Sequence, residues 1–356
     1  MPSSPEASAA RPRVPIIAAF LEGWRRVLRA PRLSLTALAA MFLIALPMAL
    51  GMRGALQAHL GASSEADRAV EGWRPDWAAE FGAQAQGVAR TFTHEILGFG
   101  GTISIVSDLI DREALSPPLV AAATTSILVW VFLSGGILDR LARGRPVGAA
   151  HFFGVSAVFF WRFLRLGVLI GAAYWALFRW LHPWLFEDLY GRWTRDVMRE
   201  GDGIAIRVAL YGVLALALGL VSVVADFAKV RAVVEDRRSM VGAVGAALRF
   251  VRRRAVRVSG LYLLNGLAFV AILVVWRWTA PSGAASPWLA LLVTQVYLLA
   301  RVWAKLAFMA SEVVFFQGEL AHAHYTAAPD VVWPDSPAAE AIDNLARSPD
   351  AAARLL

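Results

Sequence analysis

Six stretches of mainly apolar residues constrain the fold of this chain more than any other feature of its sequence. A helix needs about 20 such residues to cross the hydrocarbon layer of a bilayer. Composition supports the same class, because 58% of the residues are hydrophobic and only 17% are charged, whereas about a quarter are charged in soluble domains. The sequence therefore predicts an all-α polytopic membrane protein. The predicted spans are residues 33–51, 119–138, 166–186, 204–225, 258–276 and 288–309.

The charge of the segments between these spans alternates in sign. Residues 1–32 carry six arginines, residues 139–165 carry five, and residues 226–257 carry nine basic residues against three acidic ones. By contrast, residues 54–117 contain nine acidic residues and four arginines, and residues 187–203 contain five acidic residues and three arginines. Cytoplasmic segments of membrane proteins carry the excess of lysine and arginine. We therefore expect both termini to be cytoplasmic.

Three arginine-bearing amphipathic segments lead directly into a span: Pro15–Arg32, Pro146–Arg165 and Ser239–Arg257. A helix with an apolar face and an arginine face lies in the headgroup layer of the membrane. The pattern predicts three hairpin units of two spans, each preceded by a cytoplasmic in-plane helix that either anchors the bundle or holds anionic headgroups. The candidate headgroup contacts are Arg25, Arg26, Arg29, Arg162, Arg165, Arg249, Arg252 and Arg253.

These predictions divide the chain into three parts. An N-terminal region with the first in-plane helix covers residues 1–32, a six-span membrane domain covers 33–311, and a cytoplasmic tail covers 312–356. Within the membrane domain, residues 54–117 are expected to form an extracytoplasmic helical cap. One helix that begins at Pro75 is predicted to carry an apolar stripe in this cap, formed by Trp77, Phe81, Val88 and Phe92.

Polar residues inside the predicted spans are few. Asn265 and Gln295 lie in the fifth and sixth spans, and a hydrogen bond between them is the structural interpretation, with a substrate site as the alternative. No ionisable residue falls near the middle of a span, which argues against an ion-coupled pump. At the ends of two spans, Asp139 with Arg143 and Asp226 with Lys229 have the helical spacing of an ion pair.

Several chemical classes find no support in the sequence. The chain has no cysteine, which excludes disulfides, thiolate metal sites and a cysteine nucleophile. Neither a catalytic constellation nor a phosphate-binding or dinucleotide motif is present. We therefore expect no cofactor and no metal, and the basic charge, without a nucleic-acid-binding motif, indicates membrane topology rather than nucleic-acid binding.

The repeated pattern of a basic amphipathic helix and a hairpin covers residues 15–320. It resembles the membrane domain that accompanies some bacterial glycerophosphodiester phosphodiesterases, and also bacterial integral membrane proteins of similar build. The catalytic barrel of those enzymes is absent from this sequence, so the resemblance implies no phosphodiesterase activity. Together with the arginine- and alanine-rich composition, it implies a bacterial inner membrane.

Two functions are compatible with these features. The first is a non-enzymatic scaffold, accessory or lipid-interacting protein, whose partners would be anionic membrane lipids and another membrane protein. The second is a permease or transport subunit for an apolar or lipid-like substrate, with the fifth and sixth spans lining the path. A cavity at bilayer depth that contains Asn265 and Gln295 would favour the second function.

Overall fold

The computed structural model describes residues 14–61, 63, 67–68, 74–92, 117–195, 199–281 and 285–320. All regular secondary structure in these ranges is helical, which confirms the all-α class. The α-helices of ten or more residues, numbered in chain order, are α1 (Ile16–Leu28), α2 (Pro31–Leu60), α3 (Pro75–Gln84), α4 (Pro117–Arg143), α5 (Ala149–Ala176), α6 (Glu200–Val234), α7 (Met240–Arg253), α8 (Ala255–Thr279) and α9 (Pro287–Glu319).

Six helices are long and apolar enough to cross a membrane, as the sequence predicts, and they are α2, α4, α5, α6, α8 and α9. Most extend well beyond the apolar stretches. Helix α6 has 35 residues, about 52 Å at the rise of an α-helix, whereas the hydrocarbon layer is about 30 Å thick. Helix α9 continues to Glu319, so residues 312–319 end a spanning helix and do not belong to a tail. The rest of the predicted tail, residues 321–356, lies outside the described residues.

The arginine-rich segments lie together at one end of the bundle, which we call the basic end. A guanidinium nitrogen of Arg26 in α1 donates a 2.7 Å hydrogen bond to the Leu141 carbonyl near the end of α4. Arg162 in α5 forms an ion pair with Asp236, between α6 and α7, at 2.5 Å. Helices α1 and α7, the start of α5 and the last turns of α9 therefore share the basic end, while α3 lies at the other.

The second predicted in-plane helix is not a separate element. Helix α5 begins at Ala149 and runs without interruption through Arg165 into the third span. The residues before Arg165 include no proline that would break a helix and are apolar around most of its circumference. Beyond Ala176 the helix continues through two π-helical segments on either side of Pro183, Leu177–Leu181 and Trp184–Leu189, because proline provides no backbone N–H for a regular turn.

Helices α1 and α7 are separate elements, and each buries a face of small residues against a neighbouring helix. In α1 this face consists of Ala19, Gly23 and Val27, and it packs on α9. Helix α7 packs on α6 and buries Ala243 and Ala247. Part of each predicted apolar face is thus used inside the protein, and the position of the remainder in a headgroup layer stays a prediction.

Helices α4 and α5 approach closely at a pair of glycines. A Cβ atom added to Gly136 would lie 2.5 Å from the hydroxyl oxygen of Ser156, and one added to Gly135 would lie 2.8 Å from Cβ of Phe159. The Gly136 N–H donates a 3.2 Å hydrogen bond to that hydroxyl. Because α4 and α5 belong to different predicted hairpin units, their extensive packing gives the grouping into three units no support.

The cap is described only in part. Helix α3 begins at Pro75 as predicted, but it ends at Gln84, and a 3-10 helix follows at Gly87–Thr91. Gly87 has a positive φ of 58°, which interrupts the single helix expected from the apolar stripe. Trp77 still packs with Phe81 and Phe92, and its indole N–H donates a 3.2 Å hydrogen bond to His59 at the end of α2.

Candidate functional site

A cavity of about 770 Å³ lies in the bundle between α1, α4, α5, α6, α8 and α9. We call it the central cavity. One part of its lining is apolar and another carries charged and amide side chains, so it suits a molecule with one polar and one apolar part. Its apolar lining includes Ile127, Val131, Leu166, Ile170, Phe269 and Phe308, and its polar lining includes Asp226, Lys229, Asn265, Arg301, Lys305 and Glu312.

Two carboxylates in the central cavity are held by partners from the protein. The ammonium group of Lys229 lies 2.5 Å from a carboxylate oxygen of Asp226, which confirms the ion pair predicted from their spacing. The Tyr262 hydroxyl lies 2.6 Å from a Glu312 oxygen and 3.3 Å from the second Asp226 oxygen. This network joins α6, α8 and α9 and fixes the charged side of the cavity.

Asn265 is buried, as a polar residue in a span should be, but its predicted partner is wrong. Its amide donates hydrogen bonds of 2.9 Å to the Leu261 carbonyl and 3.0 Å to the Ser311 hydroxyl. Gln295 precedes Ser311 by 16 residues, which is about 24 Å along α9. The amides of Asn265 and Gln295 therefore lie at different levels of the bundle, and only Asn265 lines the central cavity.

The expectation that no ionisable residue falls near the middle of a span is wrong for Arg301, which lies near the midpoint of α9. A second ionisable residue of the same helix is buried closer to its end. Glu312 is only 2% exposed and follows the residue that bonds to Asn265. The predicted sixth span stops short of Glu312 because Arg301, Lys305 and Glu312 itself lower the hydropathy of this part of α9. The apolar residues on both sides of Glu312, from Phe308 to Phe316, are the sequence signal that the helix continues.

Lys305 is a cavity cation for which the described residues supply no carboxylate partner. Its ammonium nitrogen lies 3.6 Å from the centroid of the Trp130 ring, a cation–π arrangement that stabilises but does not neutralise the charge. Among the residues that the structure describes, none of the carboxylates lies within ion-pair distance of it. Lys305 is therefore the group in this cavity that is best suited to an anionic ligand.

The eight arginines predicted to contact headgroups fall into two sets. Arg26 bonds to Leu141 and, at 3.1 Å, to the side-chain oxygen of Gln317, and burial lowers its pKa while Glu22 opposes the shift. Arg162 is paired with Asp236. Arg26 and Arg162 therefore both interact within the protein. The other six are exposed and stay candidates for lipid contacts: Arg25, Arg29, Arg165, Arg249, Arg252 and Arg253.

Comparisons of the chain with protein-family models, with curated proteins and with solved structures give no match. The resemblance to the phosphodiesterase membrane domains thus stays a prediction. Function has to be argued from the central cavity and from the distribution of charge.

Proposed function

We propose that this chain is a non-enzymatic, lipid-interacting protein of a bacterial inner membrane, and that its central cavity takes up an amphiphile with an anionic head. In this proposal the basic end faces the cytoplasm. The observation that carries the proposal is the division of the cavity lining into a charged part and an apolar part.

The charged part suits an anionic head because its carboxylates are already engaged. Asp226 pairs with Lys229, and Glu312 accepts a hydrogen bond from Tyr262. Lys305, held over Trp130, is thus available for an anion from outside the protein. Such an interaction is stronger in a cavity with apolar walls than in water, because the local dielectric constant is lower.

The apolar part suits the tail of the same molecule. Phe269 on α8 and Leu166 and Ile170 on α5 line it. Each methylene group that such a wall buries contributes about 0.8 kcal/mol of binding free energy. A phospholipid or a fatty acid would satisfy both parts of the lining, whereas a small polar metabolite would leave the apolar wall unused.

A non-enzymatic role agrees with the geometry of the described cavity residues. The Ser134 hydroxyl donates a 2.5 Å hydrogen bond to the Trp130 carbonyl in its own helix. A nucleophilic serine would instead need a neighbouring general base. Ser134 is therefore accounted for by helix packing.

Filling the central cavity should displace the bound amphiphile. Gly266 lines the cavity, and a Cβ atom added to it would meet no other atom within 4 Å, so we expect Gly266→Phe to fold and to occupy the space. Native mass spectrometry of protein purified in mild detergent should show at least one co-purified lipid on the wild type and loss of most of it in the variant. Lys305→Gln should shift the retained lipid from anionic to zwitterionic classes.

Matched controls separate occupancy of the cavity from a general effect. Gly212→Phe adds the same side chain to an exposed glycine of α6 that has equally open surroundings and does not line the cavity. Arg277→Gln removes a positive charge from an exposed position near the far end of α8. Equal lipid loss in Gly266→Phe and Gly212→Phe would contradict the proposed site.

A second candidate function, a permease for an apolar or lipid-like substrate, is favoured by one observation. The central cavity reaches from the charged network to Ser126, Ile127 and Phe269 deeper in the bundle and includes Asn265. Such a cavity could hold a substrate in transit. Gln295 does not line it, and the first lining residue on α9 is Arg301, so the described lining does not extend to the first turns of α9.

A vesicle assay distinguishes transport from binding. A permease reconstituted into liposomes should make fluorescently labelled lipid move between leaflets faster than it does in protein-free liposomes. The variant Gly266→Phe should remove this increase. The readout is the fraction of label that an impermeant quencher reaches over time. Lipid retention in native mass spectrometry without any such acceleration would support the binding role and reject the permease.

A further inference from the structure

A second cavity, of about 400 Å³, lies at the basic end and shares no lining residue with the central cavity. It is lined by the α1–α2 junction, by the end of α4 and by the start of α5. Three arginines line it: Arg29, Arg32 and Arg140. Its described lining contains no acidic residue, so the cavity is strongly electropositive.

Arg140 is the least exposed of the three arginines. It is 7% exposed, and it makes no hydrogen bond or ion pair with any part of the chain that the structure describes. The preceding residue, Asp139, is turned toward Arg143, at 2.9 Å, and toward His151, at 3.0 Å. Since successive residues of a helix point about 100° apart, Asp139 cannot serve Arg140 at the same time.

A largely buried guanidinium that has no counter-charge among the described residues is unfavourable, because its lost hydration is not compensated. The positive charge of Arg26 nearby adds to this cost, since its guanidinium bonds to the carbonyl of Leu141, the residue after Arg140. Such an arrangement is expected where an anion from outside the protein supplies the missing charge.

The start of α5 provides further donors on the same cavity. This helix has 28 residues, and its N-cap is Gly148, which has no side chain to accept a hydrogen bond from the first turn. The first N–H groups of a helix have no partner within the helix and, with the helix dipole, favour an anion. Gly148 and Ala149 both line the cavity opposite the arginines.

We infer that this cavity is a binding site for a phosphate group, held by the Arg140 guanidinium and the first amides of α5, with Arg29 and Arg32 at the opening. A guanidinium matches the oxygens of a phosphate in a bidentate way. The phosphate belongs either to a lipid headgroup or to a free phosphate ion. Val147, Phe152 and Phe153, beside the cations, would contact the glycerol and first methylenes of a lipid. This site goes beyond the proposed function and does not depend on the central cavity.

The test uses the full chain, delipidated in a neutral detergent, and measures thermal unfolding with three additives. These are phosphatidylglycerol, phosphatidylcholine with the same chains, and inorganic phosphate. We expect phosphatidylglycerol to raise the unfolding temperature of the wild type well above the effect of phosphatidylcholine. In the Gly266→Phe background, in which the central cavity is filled, Arg140→Gln should lose this gain, with an apparent affinity about tenfold weaker or more. It should unfold no earlier than its parent without additive, because the uncompensated charge is gone.

Further variants identify the ligand and keep the test independent of folding. Arg140→Lys keeps the charge but loses the bidentate fork, so its affinity should lie between those of the wild type and Arg140→Gln. Arg238→Gln, at an exposed position outside both cavities, should behave as the wild type. If Arg140→Gln does not fold, the double variant Arg29→Gln/Arg32→Gln takes its place. It removes two exposed arginines of the same cavity and should weaken phosphate binding there.

Each outcome decides the proposal. Stabilisation by phosphatidylglycerol alone supports the site with a lipid ligand, and equal stabilisation by inorganic phosphate supports it with a free ion. Two results together would overturn the site: Arg140→Gln unfolds early in every condition, and the double variant Arg29→Gln/Arg32→Gln keeps the gain from phosphatidylglycerol. Arg140 would then be a structural residue. The effect of Arg140→Gln in the Gly266→Phe background reports on this cavity alone, so the two proposals fail separately.

Discussion

Ser311 and Glu312 show how two adjacent side chains in α9 join three helices. The Ser311 hydroxyl accepts from Asn265 in α8, and its backbone lies against Gly23 in α1. Glu312 accepts from Tyr262 in α8. Polar side chains in a low-dielectric interior are costly unless they are bonded, so these contacts fix the level at which α1 and α8 meet α9 as well as the shape of the central cavity.

Gly23 is the residue on which the packing of α1 most directly depends. A Cβ atom at this position would lie 2.5 Å from the backbone nitrogen of Ser311, and backbone cannot move aside as a flexible side chain can. We therefore expect Gly23→Ala to lower stability by about 1–3 kcal/mol through overpacking, although alanine is the better helix former. The measurement is thermal or denaturant unfolding in detergent, followed by the loss of helical circular dichroism.

Gly54→Ala in α2 is the matched control for this change. A Cβ atom there meets nothing within 4 Å, so only helix propensity acts, and it should raise stability by about 1 kcal/mol or less. Equal unfolding temperatures for Gly23→Ala and Gly54→Ala would mean that α1 is not held against α9 as the structure shows.

At the scale of elements, the sequence predicts the number, order and approximate positions of the spanning helices, because each depends on one continuous apolar run. It does not predict where α9 ends, since Arg301, Lys305 and Glu312 interrupt the hydropathy but not the helix. Their charges are placed by Trp130 and Tyr262 from other helices, and such contacts leave no local pattern in the sequence.

The candidate sites also differ in whether one helical segment determines them or contacts between helices do. The pair Asp226 and Lys229 is predictable because both residues lie in one helical turn. The partner of Asn265 is not, because it depends on the stagger between α8 and α9, which the sequence positions of the two apolar runs do not determine. The Arg140 cavity requires the α1–α2 junction and the start of α5 to be brought together, so the sequence offers no sign of it.

At the scale of the whole molecule, the Arg140 cavity and the six exposed candidate arginines lie at the basic end. This concentrates positive potential on one side of the bundle, where each basic residue near an anionic leaflet contributes about 1 kcal/mol of attraction. An anionic amphiphile would therefore be enriched at the same end at which Arg140 lines its cavity.

The orientation of the bundle follows from the same asymmetry and can be tested with reporter fusions. Gln84 ends α3 near the opposite end, and Glu235 follows α6 at the basic end. Because the excess of arginine keeps a segment on the cytoplasmic side, alkaline phosphatase fused after Gln84 should be active and should be inactive after Glu235. A fluorescent protein that folds only in the cytoplasm should give the converse result at the same two positions. Activity of alkaline phosphatase after Glu235 would place the basic end outside and would contradict the proposed attraction to the cytoplasmic leaflet, while the cavities themselves would be unaffected.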